Sequence, residues 1–153
     1  MKRIIFLLVI TMCSSSTVSV ESNIDEYEKE LSSKVTSITF QNEFGDLITE
    51  DLSNKKTLIV FWADYWGICR EELPLLENNL EALSRTYDVI ALAHSDVKPT
   101  MEWVKNNLKG TLKIGFSTKE LRDKLQVVGQ PITLIFDTSG EIISRDFGYI
   151  PTN

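Results

Sequence analysis

The segment Thr57-Leu58-Ile59-Val60-Phe61-Trp62 constrains this chain more than any other. It is a short, unbroken run of β-forming residues with no polar alternation, the pattern of a strand covered on both faces. A stripe follows at once. Cys69, Leu73, Leu76, Leu80, Leu83 and Tyr87 recur at spacings of three or four, which draws one apolar face along a helix. Pro74 lies inside that stripe and is expected to kink it. A second buried strand is expected at Val89 to Ala93. Pro99 and Thr100 are expected to open a helix carrying Met101, Val104 and Leu108. Ser117-Thr118-Lys119-Glu120 matches a capping box, which predicts a helix from there to about Gln126. Ile132 to Phe136 reads as another apolar strand, and Asp137-Thr138-Ser139-Gly140 as a turn that returns Glu141 to Phe147 in a hairpin. Upstream, Val35 to Phe40 reads as a strand, Phe44-Gly45-Asp46 as a turn and Leu47-Ile48 as the start of the return strand. Strands alternating with helices in this order imply an α/β fold, a mixed sheet covered on both faces.

The chain has 153 residues, 42% apolar and 25% charged, and a formal net charge of -6. That size suits one domain, and the acidic balance leaves no electrostatic footprint for nucleic acid. The N-terminus reads differently from the rest. Lys2 and Arg3 precede an apolar run from Ile4 to Met12, then Cys13 and the serines Ser14 to Ser16. A basic start, a short apolar core and small residues form a secretory signal; the run is too short for a transmembrane helix, which needs about 20 residues. Ile10-Thr11-Met12-Cys13 is similar to a bacterial lipobox, whose cysteine takes lipid and becomes the mature N-terminus, except that Met12 stands where that box prefers a small residue. Lipidation at Cys13, cleavage among the serines without lipid, and an uncleaved anchor are the three outcomes. The expected division is residues 1–22 as signal or lipoprotein signal plus tether, and residues 23–153 as the folded domain. Within the latter, Ile24, Tyr27 and Leu31 suggest a short amphipathic helix. Export implies an oxidising compartment, a periplasm or cell envelope. With Cys13 consumed, Cys69 is the one remaining thiol, so no internal disulfide can form.

The stretch Phe61-Trp62-Ala63-Asp64-Tyr65-Trp66-Gly67-Ile68-Cys69-Arg70-Glu71-Glu72-Leu73-Pro74 resembles the signature of thioredoxin-like envelope thiol–disulfide oxidoreductases of the TlpA/ResA type. In that family an aromatic-rich strand end leads into Trp-Cys-Gly-Pro-Cys, then a basic residue, acids and a proline. The spacing from the first Trp to the second Cys is kept between Trp62 and Cys69. Gly129-Gln130-Pro131, ahead of an apolar strand, resembles the family's cis-proline loop, and Ile38 to Leu52 resembles its N-terminal hairpin. The resemblance covers about residues 35–150 and implies a thioredoxin-like fold with a cis bond between Gln130 and Pro131. It also implies a C-terminal helix, for which the sequence after Tyr149-Ile150-Pro151 offers no counterpart.

The departures bear on function. Trp66 occupies the position of the family's nucleophilic cysteine, Ile68 that of the intervening proline, and Val60 that of the buried acid of thioredoxins proper. Disulfide exchange begins with an exposed thiolate at a helix N-terminus and ends with attack by a resolving cysteine. Only the resolving position, Cys69, survives. On the apolar stripe it reads as an inert core thiol; the alternative is a monothiol that still exchanges. Trp62 is expected in the core, and Tyr65 and Trp66 where the family exposes its active site. An aromatic pair beside a cis-proline loop of Gln130 and Pro131 could bind a peptide, unless local packing closes the groove. Glu71 and Glu72 are expected to complement the helix dipole. His94, the one histidine, reads as structural or exposed, with no cluster of zinc spacing around it. No cofactor, metal or nucleic-acid partner is expected. Two classes of function stay open: an envelope binding or scaffold protein that has lost dithiol catalysis, with a protein or peptide partner and membrane attachment through lipid on Cys13, or a residual monothiol oxidoreductase using Cys69.

Overall fold

A computed structural model describes residues 34–148, 150 and 151. The signal region with Cys13, the tether and the short helix expected at Ile24 to Leu31 lie outside the described residues. The strands are β1 (Ser37–Gln41), β2 (Leu47–Asp51), β3 (Lys56–Trp62), β4 (Tyr87–Ala93), β5 (Lys113–Phe116), β6 (Ile132–Phe136) and β7 (Ile142–Phe147); the helices are α1 (Gly67–Asn78), α2 (Leu80–Leu83), α3 (Val97–Asn107) and α4 (Lys119–Lys124). The strands form one seven-stranded sheet in the order β2-β1-β5-β4-β3-β6-β7. β3, β4 and β5 run parallel, and the other pairings are antiparallel. This is the expected mixed α/β sheet of the thioredoxin-like fold.

β3 is the hub. It pairs with β4 on one side and β6 on the other, and Thr57 to Trp62 are buried throughout. Its side chains alternate between two cores. Leu58, Val60 and Trp62 face Cys69, Leu73 and Leu76 of α1 and Val104 of α3, with the Trp103 ring tilted 53° against that of Trp62 at a centroid distance of 5.5 Å. Ile59 and Phe61 face the opposite way, against Phe40, Leu92 and Leu134 and against Leu121 and Leu125 at α4. The apolar run needs no alternation because both of its faces are dry.

Three expectations are corrected, and one strand is added. The stripe from Cys69 to Tyr87 is not one helix kinked at Pro74. α1 runs through Pro74 to Asn78, a separate turn holds Leu80 and Leu83, and Tyr87 already belongs to β4. The break falls at Asn79, the C-cap of α1, where the backbone leaves helical geometry (φ -95°, ψ 3°); its N–H and its side-chain amide both donate to the Leu75 carbonyl, at 3.1 and 3.0 Å. α3 begins at Val97, ahead of Pro99, because proline is tolerated in a first turn where its missing N–H would have no partner. The α4 cap is Thr118, whose hydroxyl accepts from the Leu121 N–H at 3.1 Å; Ser117 instead donates to the Ala93 carbonyl through its N–H at 2.9 Å, so the cap falls one residue later and Leu121 stands where a capping box needs Glu or Gln. Finally, β5 went unread between the two helices. It is four residues long and includes Gly115, where a Cβ would sit 2.5 Å from a ring carbon of Phe40. Glycine is needed there for close approach, and it hides the strand from a reading based on β-propensity.

The loop into β5 is fixed by a buried carboxylate. Glu77, 5% exposed, accepts from the N–H groups of Lys109 at 2.6 Å, Thr111 at 2.8 Å and Leu112 at 3.2 Å, and from the Thr111 hydroxyl at 3.1 Å. Burial pushes its pKa up, but the donors together outweigh burial and hold it below its ordinary value of 4.5. The folded state therefore binds this proton less readily than the unfolded one, so the contribution is complete above the unfolded value and is lost as pH falls through the folded one. Glu77→Gln is expected to cost about 1–3 kcal/mol at neutral pH. In urea melts, the gap to the wild type should narrow below pH 4.5.

Candidate functional site

The chain builds β3, β4 and β5 outward in one direction and then returns to place β6 on the other side of β3. Such a reversal opens a crevice at the carboxyl ends of parallel strands. Here that end carries the motif turn, residues 63–66, running from β3 into α1. Phe61 is in register with Ile132, so Pro131 and Gln130 lie beside the end of β3. On the other side Trp62 is in register with Ala93, and the His94 N–H donates to the Trp62 carbonyl at 2.8 Å. Three segments thus converge on one strand end.

The residues expected at the site divide cleanly by exposure. Trp62 is fully buried, as expected. Tyr65 is 60% exposed, Trp66 46% and Ile68 45%. Trp66 is the N-cap residue of α1 and makes no side-chain capping bond; its backbone N–H donates to the Ala63 carbonyl at 3.2 Å, and its carbonyl accepts the first helical bond from Arg70. The Gln130–Pro131 bond is cis, as the resemblance implied, and Pro131 is buried while Gln130 is half-buried. The Gln130 side-chain amide donates to the Tyr65 hydroxyl at 3.0 Å, which brings the motif turn and the cis-proline loop together. Val128, 84% exposed, extends the apolar character of that loop.

Cys69 is the third residue of α1 and wholly buried in the core beneath β3. Burial raises its pKa above the ordinary 9.0, the N–H of Ala63 opposes that, and the Glu72 charge adds to the rise. A thiol held protonated and out of contact with solvent is a poor nucleophile. Glu71 and Glu72 do not lie in the first turn, which holds no acid. Glu72 instead accepts from the Ile150 N–H at 3.0 Å, fastening the segment after β7 to the helix.

Asp64 escaped the sequence reading, and His94 was read without its neighbour Gln130. Asp64 is buried; it accepts from the Thr100 hydroxyl at 3.2 Å, and its carbonyl accepts from the Arg70 guanidinium. These contacts tie the motif turn to α3 and α1. A lone acid within an aromatic motif gives no sign of burial. His94 is exposed, as one reading allowed; burial and the Arg122 charge hold its pKa below the ordinary 6.5, and the neighbouring Gln130 side chain opposes that. Only the sheet register brings those residues together, so no local pattern could have paired them. Among the described residues, no group of His, Cys, Asp and Glu side chains is placed to hold a metal ion.

No family model matches the sequence, and no curated protein does. Solved structures do match in fold. A thioredoxin-family thiol:disulfide interchange protein from Chlorobium tepidum aligns with a TM-score of 0.66 at 18% identity, over 79% of this chain and 89% of that one. StoA from Bacillus subtilis aligns at 0.65 and 20% identity, over 78% and 94%. The pneumococcal exposed lipoprotein thioredoxin Etrx1 of Streptococcus pneumoniae aligns at 0.62 and 18%, over 76% and 92%. At these identities the likeness is one of fold.

The burial of Cys69 has a direct chemical readout. With Cys13 replaced by serine, an alkylating reagent should modify Cys69 slowly in the native protein and at least about a hundredfold faster in denaturant, since access then requires opening of a protected core. Equal rates would place the thiol at the surface.

Proposed function

We propose that this chain is an exported, thioredoxin-like binding protein of the cell envelope, in which the groove between the motif turn and the cis-proline loop receives polypeptide without thiol–disulfide exchange. The observation that carries the reading is Trp66. The N-cap of α1 is where the family's attacking thiolate resides, stabilised by free N–H groups and the helix dipole. Here an indole stands in that position, exposed, while the surviving thiol is buried in the core. The site therefore retains a frame for positioning a chain and lacks the group that would attack it. Tyr65, Trp66 and Ile68 on one side and Gln130 and Val128 on the other offer exposed apolar and amide surface, the composition from which peptide contacts are built.

The envelope location rests on Lys2, Arg3, the apolar run to Met12 and Cys13, and on the occurrence of an exposed lipoprotein among the structures of like fold. Lipid on Cys13 would tether the domain at the membrane surface through the serine-rich segment; several acyl chains are needed for firm attachment. The monothiol alternative requires Cys69 to reach a disulfide, and its burial and raised pKa both oppose that.

An insulin-reduction assay separates the two. Wild-type protein lacking the signal region should show no turnover above background. Trp66→Cys should restore measurable activity, because a thiol at the helix N-terminus has its pKa drawn down from about 8.5 toward 7, raising the thiolate fraction at pH 7 by about an order of magnitude. Ile68 and Val60 should keep the restored activity below that of an ordinary thioredoxin. Wild-type turnover comparable with thioredoxin would make Cys69 a catalytic thiol and overturn the proposal.

A further inference from the structure

A cavity of about 380 Å³ opens at the carboxyl ends of β4 and β5, at the same end of the sheet as the motif turn. Ala93 and Phe116, paired in register and both buried, supply its apolar floor. Ser95, Asp96 and Val97 line it where the chain leaves β4 for α3; Ser117 follows β5, and Gln41 ends β1 in register with Phe116. Ligand sites run to about 300–1,000 Å³, so this one has room for a single side chain. The hydrogens of its hydroxyls are already spent. Thr100, wholly buried, donates its one hydroxyl hydrogen to the Asp64 carboxylate at 3.2 Å. The 2.8 Å bond between Ser95 and Thr100 is therefore donated by Ser95. Ser117 donates to the Ala93 carbonyl at 3.0 Å and accepts from the Arg122 guanidinium at 3.0 Å. Ser95 thus keeps two lone pairs and Ser117 one. The Asp96 carboxylate makes no capping bond to α3 and, among the described residues, no ion pair.

We propose that this cavity binds a basic side chain, lysine or arginine, of a polypeptide partner; the inference rests on the binding role proposed above and adds a side-chain preference at a second place on the same end of the sheet. A cation that only donates hydrogen bonds meets lone pairs on Ser95 and Ser117 and a carboxylate on Asp96, and the apolar floor takes its methylene stem. An anion has less to hold it. The first turn of α3 borders the cavity, but Pro99 has no N–H and the Thr100 N–H is bonded to the Asp96 carbonyl at 3.2 Å. Arg122 does not line the cavity, and its Nη1 is committed to the carbonyl and hydroxyl of Ser117 at 2.5 and 3.0 Å. His94, which also borders the space, is neutral at pH 7, because burial and Arg122 hold its pKa below 6.5. The net charge of -6 on the chain favours the approach of a basic partner.

Asp96→Asn tests this, because it removes the charge at an exposed position that has no capping bond to lose. Amide chemical shifts of the isotope-labelled mature chain and of this variant are followed during titration with three blocked amino acids, the N-acetyl N′-methylamides of lysine, norleucine and glutamate. The lysine compound should shift residues 93–98 and 116–117 at lower concentration than the other two. Asp96→Asn should weaken lysine binding by about 3–10-fold, the effect of one partly exposed, charge-assisted bond, and leave norleucine binding unchanged. Glutamate or norleucine bound as well as lysine would overturn the proposal. So would equal binding of lysine by the two proteins, or no shift at the cavity with any compound. A blocked single residue is not the polypeptide of the proposed function, so the two readings fail separately. A lysine response at the cavity, with no unfolded, disulfide-free polypeptide bound at residues 64–68, would support the cavity and reject the binding role of the motif turn. Polypeptide binding at residues 64–68 without a lysine response at the cavity would overturn the cavity alone.

Discussion

The ladder contacts of β3 are the constraint on which the rest of this structure depends. The strand is paired along both edges and covered on both faces, so its position is fixed by two sheet neighbours and two cores at once. Everything of functional interest hangs from its carboxyl end: the motif turn continues it, His94 is bonded to its last carbonyl, and the cis-proline loop is placed by its register with β6. A slip of one residue in that register would exchange Val60 and Trp62 with Ile59 and Phe61 between the two cores. Complementary packing on each face is therefore what holds the site residues in place.

On that frame, the site combines a buried base with an exposed aromatic and aliphatic surface. Beneath it, Cys69, Trp62 and Asp64 are buried, with Asp64 tied to Thr100 and Arg70. Above it, Tyr65, Trp66 and Ile68 meet solvent. The distribution matters chemically. A thioredoxin-like site reacts through an exposed sulfur at the helix N-terminus; here the exposed position holds carbon and an indole N–H, and the sulfur has been left in the core. What the geometry retains is a pair of loops side by side at the end of β3, one of them ending in a cis peptide bond.

Much of this was legible in the sequence because the signals were local and strong. The apolar run of β3, the stripe of α1 and the spacing from Trp62 to Cys69 each point to one element or motif. What was missed depends on contacts between distant segments. β5 is short and carries Gly115 because Phe40 presses against it, a fact that belongs to the sheet and not to the segment. α1 ends at Asn79, where the backbone leaves helical geometry, although the apolar pattern runs on to Tyr87. Glu77 looks like a solvated helix residue until the loop at Lys109 to Leu112 folds over it. That His94 and Gln130 come close follows from both residues flanking β3, which only the strand order reveals.

The central claim is that the groove binds a polypeptide chain and does so without the thiol. Amide chemical-shift mapping of isotope-labelled protein tests it most directly, with the unfolded, disulfide-free polypeptide titrated into the wild type and into Cys69→Ala. The account predicts shifts concentrated in residues 64–68 and 128–130, the same in both proteins. Shifts located elsewhere on the sheet, or binding that disappears in Cys69→Ala while that variant remains folded, would contradict it.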